Sequence, residues 1–346
     1  MSRWKQLFAK NLVPIDELVE KFALDITEFK SVAQHYPVRI TRHYFNLIHE
    51  KNDPIWRQAV PDIRELQDDC QQPDPLNEHG LSPVPGLIHR YPDRVVWLVS
   101  NECAVYCRFC MRKRRVGCNI GDKLEACSGD AISYIAAHPS IRDVILSGGD
   151  PLLLEDEQLE EILSSLRSIP HVEIIRIGTR VPVTFPERIT RKLTAMLQRY
   201  QPLYINTHFN HPLEINSHSQ QACAMLVDAG IPMGNQTVLL KNVNDDPAVM
   251  QELLRGLLAI RVKPYYLHQM DLVKGTAHFR TSVKSGLQLM DSLRGHMSGL
   301  AVPYYVIDLP EGKGKVPLLP GHEIAADRTL QLKTYTGEEI VYQDIQ

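Results

Sequence analysis

Three cysteines lie within eight residues, in the stretch CAVYCRFCMRKRR that starts at Cys103 and includes Cys107 and Cys110. The CxxxCxxC spacing puts three thiols on one loop, directly after an apolar run. Thiolates are the ligands that iron–sulfur clusters use, and a four-iron cluster takes one ligand for each iron. Three cysteines would leave one iron open, so a small molecule could bind the cluster directly.

A structural zinc site is the alternative interpretation of these thiols, and it needs a closed shell of four ligands. No further CxxC or HxxxH pair stands elsewhere in the chain, although His89 or Cys118 could serve as the fourth ligand. The odd total of seven cysteines argues against a disulfide framework. We expect the scattered ones to be small core or surface residues: Cys70, Cys118, Cys127 and Cys223.

Composition places limits on the class of protein. The chain has 346 residues, 44% of them apolar, and a formal net charge of −3. That charge provides no general attraction to nucleic acid or to an anionic membrane. The N-terminal stretch MSRWKQLFAKNLVP has no apolar segment of the kind that a signal peptide or a membrane span needs. We therefore expect a cytoplasmic protein with no nucleic-acid or membrane partner.

The pattern from Arg94 onward is typical of a parallel sheet covered by helices, since β-branched or aromatic runs alternate with longer amphipathic stretches. The predicted strands are RVVWLVSN, RDVILSGG, VEIIRIGTR, LYINTHFN, GNQTVLL, KPYYLHQM and PYYVIDL. The predicted helices include EDEQLEEILSSLRSI, PERITRKLTAMLQRY, HSQQACAMLVDAG and DPAVMQELLRGLLAI. About six βα units predict an α/β fold, a partial (βα)6-type barrel, with a doubly wound open sheet as the competitor. Either architecture gathers its chemistry at the carboxyl ends of the strands.

Three regions follow from the same pattern. Residues 1–80 are polar, contain helix-like pieces such as PIDELVEKFA and PDIRELQDDC, and are predicted to be a helical N-terminal extension. Residues 81–325 are predicted to form the barrel, and residues 326–346 a short C-terminal tail.

A glycine-rich motif, Ser147-Gly148-Gly149-Asp150, ends the second predicted strand. Glycine lets the backbone come close to a ligand, although two glycines after a strand are by themselves most often a turn. Together with the cysteine motif, this segment resembles the radical S-adenosylmethionine superfamily. The resemblance implies a [4Fe-4S] cluster on the three cysteines, with S-adenosyl-L-methionine on the fourth iron and its methionyl amine at the glycine-rich motif. It also implies an external electron donor.

Longer segments narrow the resemblance to the lysine 2,3-aminomutase family, whose members are isomerases. The resemblance covers roughly residues 85–320 and rests on HRYPDRVVWLVSNECAVYCRFCMRKRRVG, SGGDPLLL, GNQTVLLKNVND, HFRTSV, LRGHMSG and VIDLPEGKGKVPLLP. It implies a pyridoxal 5'-phosphate cofactor bound through a Schiff base to Lys315 of the EGKGKVP loop. By itself GKGK predicts a solvated loop, and Lys313 is a second lysine in it. Arg94 and Gln236 match the family positions that hold the cofactor phosphate.

The basic run after the cysteines has one residue with an implied role. Arg112 matches the arginine that takes the substrate α-carboxylate, a task that suits a planar guanidinium fork. We expect Lys113, Arg114 and Arg115 to be solvated or structural.

Two acids bear on the substrate. Asp271 and Asp308 match the positions that receive the ε-ammonium of lysine, and a desolvated ammonium needs such compensation. We therefore expect 1,2-amino migration between L-lysine and β-lysine. The alternatives are arginine as substrate, β-lysine formation for elongation factor P, and a zinc-binding protein on the same scaffold without enzymatic activity. A homo-oligomer is left open.

Overall fold

The computed structural model describes residues 2–68, 71–117, 128–318, 329–334 and 336–343. The helices in these ranges are α1 Arg3–Lys10, α2 Ile15–Lys21, α3 Ile26–His35, α4 Arg42–Phe45, α5 Pro54–Ala59, α6 Ser128–Ala137, α7 Asp156–Arg167, α8 Val181–Thr184, α9 Arg191–Gln198, α10 Ser217–Asp228, α11 Pro247–Ala259 and α12 Val283–Leu293. The strands are β1 Leu87–Tyr91, β2 Arg94–Ser100, β3 Asp143–Gly148, β4 Ile174–Gly178, β5 Leu203–Thr207, β6 Met233–Leu239, β7 Lys263–Gln269, β8 Tyr304–Asp308, β9 Lys315–Pro317, β10 Thr329–Lys333 and β11 Glu339–Gln343. Each strand predicted from the sequence is present, as β2 to β8 in the predicted order.

One curled sheet contains strands β1 to β9 in the order of the sequence. Strands β2 to β8 are parallel, whereas β1 and β9 run antiparallel to their neighbours at the two edges. A doubly wound sheet reverses its strand order at a switch point, and this sheet does not. The prediction of a partial (βα) barrel is therefore confirmed.

Side chains bridge the two edges of the curled sheet. Arg90 on β1 forms an ion pair with Asp308 on β8, with 3.2 Å between Nη1 and Oδ1. The backbone N–H of Lys315 on β9 donates to the hydroxyl oxygen of Tyr91 on β1 at 2.8 Å. The first and last strands of the sheet therefore face each other across the interior of the barrel.

The helices cover the outer face of the sheet because their apolar residues recur every three or four positions. Helix α7 buries Leu159, Leu163 and Leu166, and α11 buries a similar stripe. The side chain of Asp246 caps α11 by accepting hydrogen bonds from two backbone N–H groups of its first turn. None of the described helices combines the length and apolar character that a bilayer span requires.

The N-terminal segment packs on the barrel. Trp4, Leu18 and Phe29 belong to the same hydrophobic cluster as the strands, so one continuous core joins the two regions. The stretch PDIRELQDDC was predicted to be helical, but its described part forms only a single 3-10 turn, Ile63–Leu66. Within this turn, Glu65 points inward and pairs with Arg108 and Lys113. The boundaries at residues 80 and 325 stay predictions, and the described part of the C-terminal tail forms a hairpin of β10 and β11.

Candidate active site

The three cysteines lie on the loop that follows β2, at the carboxyl end of the parallel strands. Backbone hydrogen bonds tie this loop to the N-terminal segment. The N–H of Tyr106 donates to the carbonyl of Arg39 at 3.0 Å, and the N–H of Arg108 donates to the carbonyl of Gln58 at 2.9 Å. The shape of the cysteine loop therefore depends on residues about 50 to 70 positions earlier in the chain.

Burial controls the chemistry of these thiols. Burial raises the pKa of the Cys103 thiol well above its ordinary value, and the charges of Asp150 and the other two cysteines add to this effect. Burial, together with the charge of Cys107, raises the pKa of Cys110 to about 11. The three sulfurs thus lie close enough to influence one another. With raised pKa values, the thiols of Cys103 and Cys110 keep their protons at neutral pH unless a metal replaces them.

Two N–H groups point at the sulfurs. The backbone N–H of Arg112 donates to Cys110 Sγ at 3.3 Å, and the guanidinium Nη1 of Arg180 donates to Cys107 Sγ at 2.7 Å. Hydrogen-bond donors and a cation suit sulfurs that carry negative charge, as cysteine ligands of an iron–sulfur cluster do. The three cysteines and their donors therefore fit such a cluster.

The residues considered for a zinc site are arranged differently. Within the described ranges, no three His, Cys, Asp or Glu side chains converge on a single metal ion. His89 Nδ1 lies 2.9 Å from the hydroxyl of Tyr134. Cys118 lies outside the described residues, as do Cys70 and Cys127, whereas Cys223 is fully buried in the hydrophobic core.

Arg180 was not singled out from the sequence, yet it is the buried cation beside the cysteines. Its Nη2 donates to Glu214 and to Gln58, each at 2.6 Å, and lies 3.1 Å from the hydroxyl of Tyr44. Arg180 follows β4, and its guanidinium is therefore held by the N-terminal segment and by the segment after β5 at the same time. No spacing in the sequence signals this role, because even the nearest partner of the guanidinium, the carbonyl of His208, is 28 positions away.

The glycine-rich motif packs against the cysteine loop. A Cβ on Gly148 would meet the carbonyl oxygen of Ser100, and one on Gly149 would meet that of Glu102. Gly148 also has a φ of 122°, which favours glycine. The carboxylate of Asp150 accepts hydrogen bonds from Thr179 Oγ1 and from the backbone N–H of Arg180, both at 2.7 Å. Asp150 thus joins the ends of β3 and β4, while the motif's backbone faces the cysteine loop.

Arg112 lies between the glycine-rich motif and a buried acid. Its Nε is 3.0 Å and its Nη2 2.8 Å from Glu78 Oε1, while its Nη1 donates to Ser147 Oγ at 3.2 Å. Burial opposes the negative charge of Glu78, but the adjacent Arg112 and Arg114 guanidiniums hold its pKa below the ordinary value. Arg112 therefore has an ionised partner on one edge of its fork.

The rest of the basic run is structural, as expected for Lys113 and Arg114. Lys113 is buried, and its Nζ donates to Glu65 at 2.6 Å. Burial lowers the pKa of Lys113 to about 8, against the charge of Glu65. Arg114 pairs with Asp74 at 2.9 Å. Each of these cations is thus neutralised by an acid from the segment that precedes β1.

The lysine loop places Lys313 and Lys315 in different surroundings. Lys313 is exposed and pairs with the exposed Glu311 at 3.6 Å. Lys315 points into the barrel, where its Nζ contacts the carboxylate of Asp308 and lies 3.2 Å from His268 Nδ1. Gly314 has a φ of 103°, so the chain turns Lys315 inward through a backbone shape that favours glycine.

The two acids lie beside Lys315 and differ in charge. Burial opposes ionisation of Asp308, but its hydrogen bond to His268 and the charge of Lys315 hold its pKa far below the ordinary value. Burial, reinforced by the charge of Asp308, raises the pKa of Asp271 to about 7. Arg90, which sequence reasoning missed within the motif HRYPDR, also pairs with Asp308. The pocket thus contains one firmly ionised acid and one that titrates near neutrality.

Arg94 and Gln236 approach the same interior from two strands. Gln236 on β6 is paired in register with Tyr266 on β7, so both side chains lie on one face of the sheet. Lys315 Nζ lies 5.3 Å from the centre of the Tyr266 ring. Arg94 forms an exposed ion pair with Asp93 at 2.9 Å, and its charge acts on the Tyr266 phenol. A lysine that faces an aromatic ring inside the barrel, with an amide on β6 and a cation on β2, fits a phosphorylated carbonyl cofactor such as pyridoxal phosphate.

Comparisons with known proteins agree with this geometry. The sequence model described as Lysine-2,3-aminomutase matches residues 290–345, and that of the Radical SAM superfamily matches residues 97–254. An L-lysine 2,3-aminomutase from Fusobacterium nucleatum is 45% identical over 99% of this chain and 82% of its own length. The chain belongs to the lysine 2,3-aminomutase family. The radical SAM match spans β2 to most of α11, including the cysteine loop, and the C-terminal match includes both Asp308 and Lys315.

Relatives named for lysine and for glutamate resemble this chain to a similar degree. An L-lysine 2,3-aminomutase from Methanococcus maripaludis is 50% identical over 90% of this chain and 73% of its own length. A glutamate 2,3-aminomutase from Clostridioides difficile is 43% identical over 99% of this chain and 83% of its own length. Identity alone therefore separates the two substrates poorly, and the pocket residues must decide.

Proposed function

We propose that this chain is a lysine 2,3-aminomutase, an isomerase that interconverts L-lysine and β-lysine. The observation that carries the proposal is the paired acids, Asp271 and Asp308, beside Lys315 inside the barrel. The ammonium of Lys315 is chemically the same group as the ε-ammonium of the substrate. Its contact with Asp308 is therefore the kind of ion pair that the substrate would make. A glutamate side chain would meet the repulsion of two acids instead.

The cysteines Cys103, Cys107 and Cys110 would hold the [4Fe-4S] cluster, which supplies the electron that cleaves S-adenosyl-L-methionine to a 5′-deoxyadenosyl radical. The backbone of Ser147, Gly148 and Gly149 would face the methionyl amine, because it lies against the cysteine loop. Asp150 would act through the fold, since Thr179 and Arg180 occupy its carboxylate. The reductant is an external electron donor.

Lys315 would bind pyridoxal phosphate, which supplies the imine through which the amino group migrates. Arg94 and Gln236 would hold its phosphate, and Arg112 the α-carboxylate of the substrate through the edge of its fork that Glu78 leaves free. His268 Nδ1 faces Lys315 Nζ, and burial and the charge of Lys315 lower the pKa of His268. A neutral imidazole there adds no positive charge beside Lys315, so the ammonium keeps Asp308 as its charged partner.

The test is an anaerobic assay of the protein reconstituted with iron, sulfide and pyridoxal phosphate, given S-adenosylmethionine, a strong reductant and L-lysine. We expect β-lysine by mass spectrometry, and none from Lys315→Ala with an equal iron content. Matched samples contain L-arginine or L-glutamate. A product from arginine alone would assign the acids to the other cationic substrate. No product from any of them, despite full iron and cofactor, would contradict the proposal.

A further inference from the structure

A segment with no role so far, residues 74–82, runs between Arg112 and the lysine loop. We call it the acidic strap. Asp74 shapes it, because its carboxylate accepts the backbone N–H groups of Glu78 and His79, each at 3.1 Å. Asn77 takes a positive φ of 51° within the turn. The strap thus has a fixed conformation that places the side chain of Glu78 in the interior.

Glu78 is almost fully buried, and its partners are cations of the basic run. Besides its contacts with Arg112, its Oε2 lies 3.2 Å from Arg114 Nη2. A buried carboxylate needs such pairing. Glu78 takes the edge of the Arg112 fork formed by Nε and Nη2. The end of the Arg112 fork formed by the two terminal nitrogens, Nη1 and Nη2, is not covered by Glu78. Nη1 of Arg112 points to Ser147 at the end of β3.

The strap also touches the loop that carries Lys315. The backbone N–H of Glu311 donates to the carbonyl of Pro75 at 2.7 Å. A Cβ on Gly312 would lie 2.8 Å from the carbonyl oxygen of Leu76 and would run into Leu81. One short segment therefore sets the position of Arg112 and supports the loop of the reactive lysine.

We propose that Glu78 is a positioning residue that fixes the Arg112 fork for the substrate α-carboxylate, and so sets the preference for amino acids over simple amines. This inference rests on the proposed function. With Nε and Nη2 held by Glu78, Arg112 presents its terminal nitrogens in one orientation, and a bidentate pair needs that orientation. In this arrangement the Arg112 guanidinium would lie between the carboxylate of Glu78 and the α-carboxylate of the substrate, closer to each than they are to one another. Attraction at the fork therefore exceeds the repulsion between Glu78 and the substrate.

The test uses the full chain loaded with pyridoxal phosphate, without reductant. Apparent dissociation constants are measured from the change in cofactor absorbance for L-lysine and for 1,5-diaminopentane, which is lysine without its carboxylate. We expect Glu78→Gln to weaken lysine binding roughly tenfold to a hundredfold, the range for a lost charge-assisted hydrogen bond. Binding of diaminopentane should change by less than about threefold.

Two further variants separate positioning from general damage. Glu65→Gln removes an equally buried acid that pairs with Lys113 and Arg108 rather than Arg112, and it should leave the ratio of the two dissociation constants unchanged. In an Arg112→Gln background, Glu78→Gln should have little additional effect on lysine binding, because coupled residues are not additive. Cofactor absorbance and iron content check that each variant is folded.

Four results would overturn the inference. Glu78→Gln could keep the wild-type ratio, or could bind lysine more tightly, which would make Glu78 a competitor of the substrate. Equal effects of Glu78→Gln with and without Arg112 would make its role purely structural. If the wild type itself binds lysine no better than diaminopentane, Arg112 does not hold a carboxylate. That result would overturn the proposed function together with the inference.

Discussion

At the scale of single residues, the site consists of buried charged side chains, most of which lie beside a group of opposite charge. Arg112 faces Glu78, Lys315 faces Asp308, and Arg180 faces both Cys107 and Glu214. Each pair would be costly to bury if one partner were missing. Asp271 is the exception, because burial, reinforced by the like charge of Asp308, raises its pKa to about 7.

The first prediction concerns the pH dependence of substrate binding. Asp271 has a folded-state pKa raised to about 7, so it is neutral below that pH and becomes ionised above it. Its surroundings include Asp308, Lys315, Arg90 and Glu78. We expect the advantage of L-lysine over L-norleucine, which has no ε-ammonium, to grow up to about tenfold between pH 6 and 8 and to level off above pH 8. Cofactor absorbance titrations at each pH measure both ligands.

L-norleucine is the control for this measurement because its α-amine titrates like that of lysine. The Asn side chain of Asp271→Asn is uncharged at every pH, so its preference for L-lysine over L-norleucine should not vary with pH. A wild-type advantage that is constant from pH 6 to 8 would mean that Asp271 does not face the ammonium.

At the scale of elements, the chemistry lies on loops that rigid strands hold together. The cysteine loop follows β2 and the glycine-rich motif ends β3, and these strands are neighbours in the sheet. The backbone N–H of Gly149 donates to the carbonyl of Ser100 at 2.5 Å, and that of Asp150 donates to Glu102 at 2.6 Å. The two loops thus form one backbone surface, which requires residues without side chains at the contact.

The second prediction tests this backbone contact. Gly149→Ala would push a Cβ into the carbonyl of Glu102, and we expect the cysteine loop to shift at a cost of roughly 1–3 kcal/mol. Iron bound per chain after anaerobic reconstitution should fall clearly below the wild-type value, while the cofactor absorbance due to Lys315 should be unchanged. Gly299→Ala is the control, because a Cβ there meets no atom within 4 Å. Equal iron contents in both variants would contradict the prediction.

At the scale of the whole molecule, the N-terminal segment is part of the site. Gln58 and Tyr44 hold Arg180, and Gln58 also receives a backbone hydrogen bond from the cysteine loop. A buried triad of Glu65, Arg108 and Lys113 joins the same segment to the basic run. The barrel and the segment before it thus share charges as well as apolar core, and the site is complete only when both are folded.

The third prediction concerns this triad. Glu65→Gln would leave Arg108 and Lys113 buried without their counter-charge, and removal of one partner from such a group costs about 3–5 kcal/mol. We expect a free energy of unfolding lower by that amount, measured by urea titration with tryptophan fluorescence. The exposed pair Arg142–Glu173 is the control, and Glu173→Gln should change stability by less than about 1 kcal/mol. If Glu65→Gln lowers the free energy of unfolding no more than Glu173→Gln does, the triad is solvated.

The sequence by itself predicted the barrel strands, the cysteine motif and the glycine-rich motif, because these are signals of type and spacing within a few residues, whereas the candidate Lys315 came from the family resemblance. Residue type alone does not distinguish Lys313 from Lys315, and in the structure the inward turn at Gly314 places only Lys315 in the barrel. The sequence also predicted a helix at PDIRELQDDC where the described part has one 3-10 turn, within which the pairing of Glu65 is a contact across the fold.

Tertiary structure alone decided the partners of the buried charges. Glu78 lies 34 positions from Arg112, and Arg180 lies 73 positions from Cys107. Periodicity cannot connect such residues, because it reports only which face of one element is apolar. The ionisation of Asp271 likewise depends on Asp308, 37 positions later. The charge of each site residue depends on which groups the fold buries beside it. A pattern of residue types in the sequence does not contain the distances between those groups.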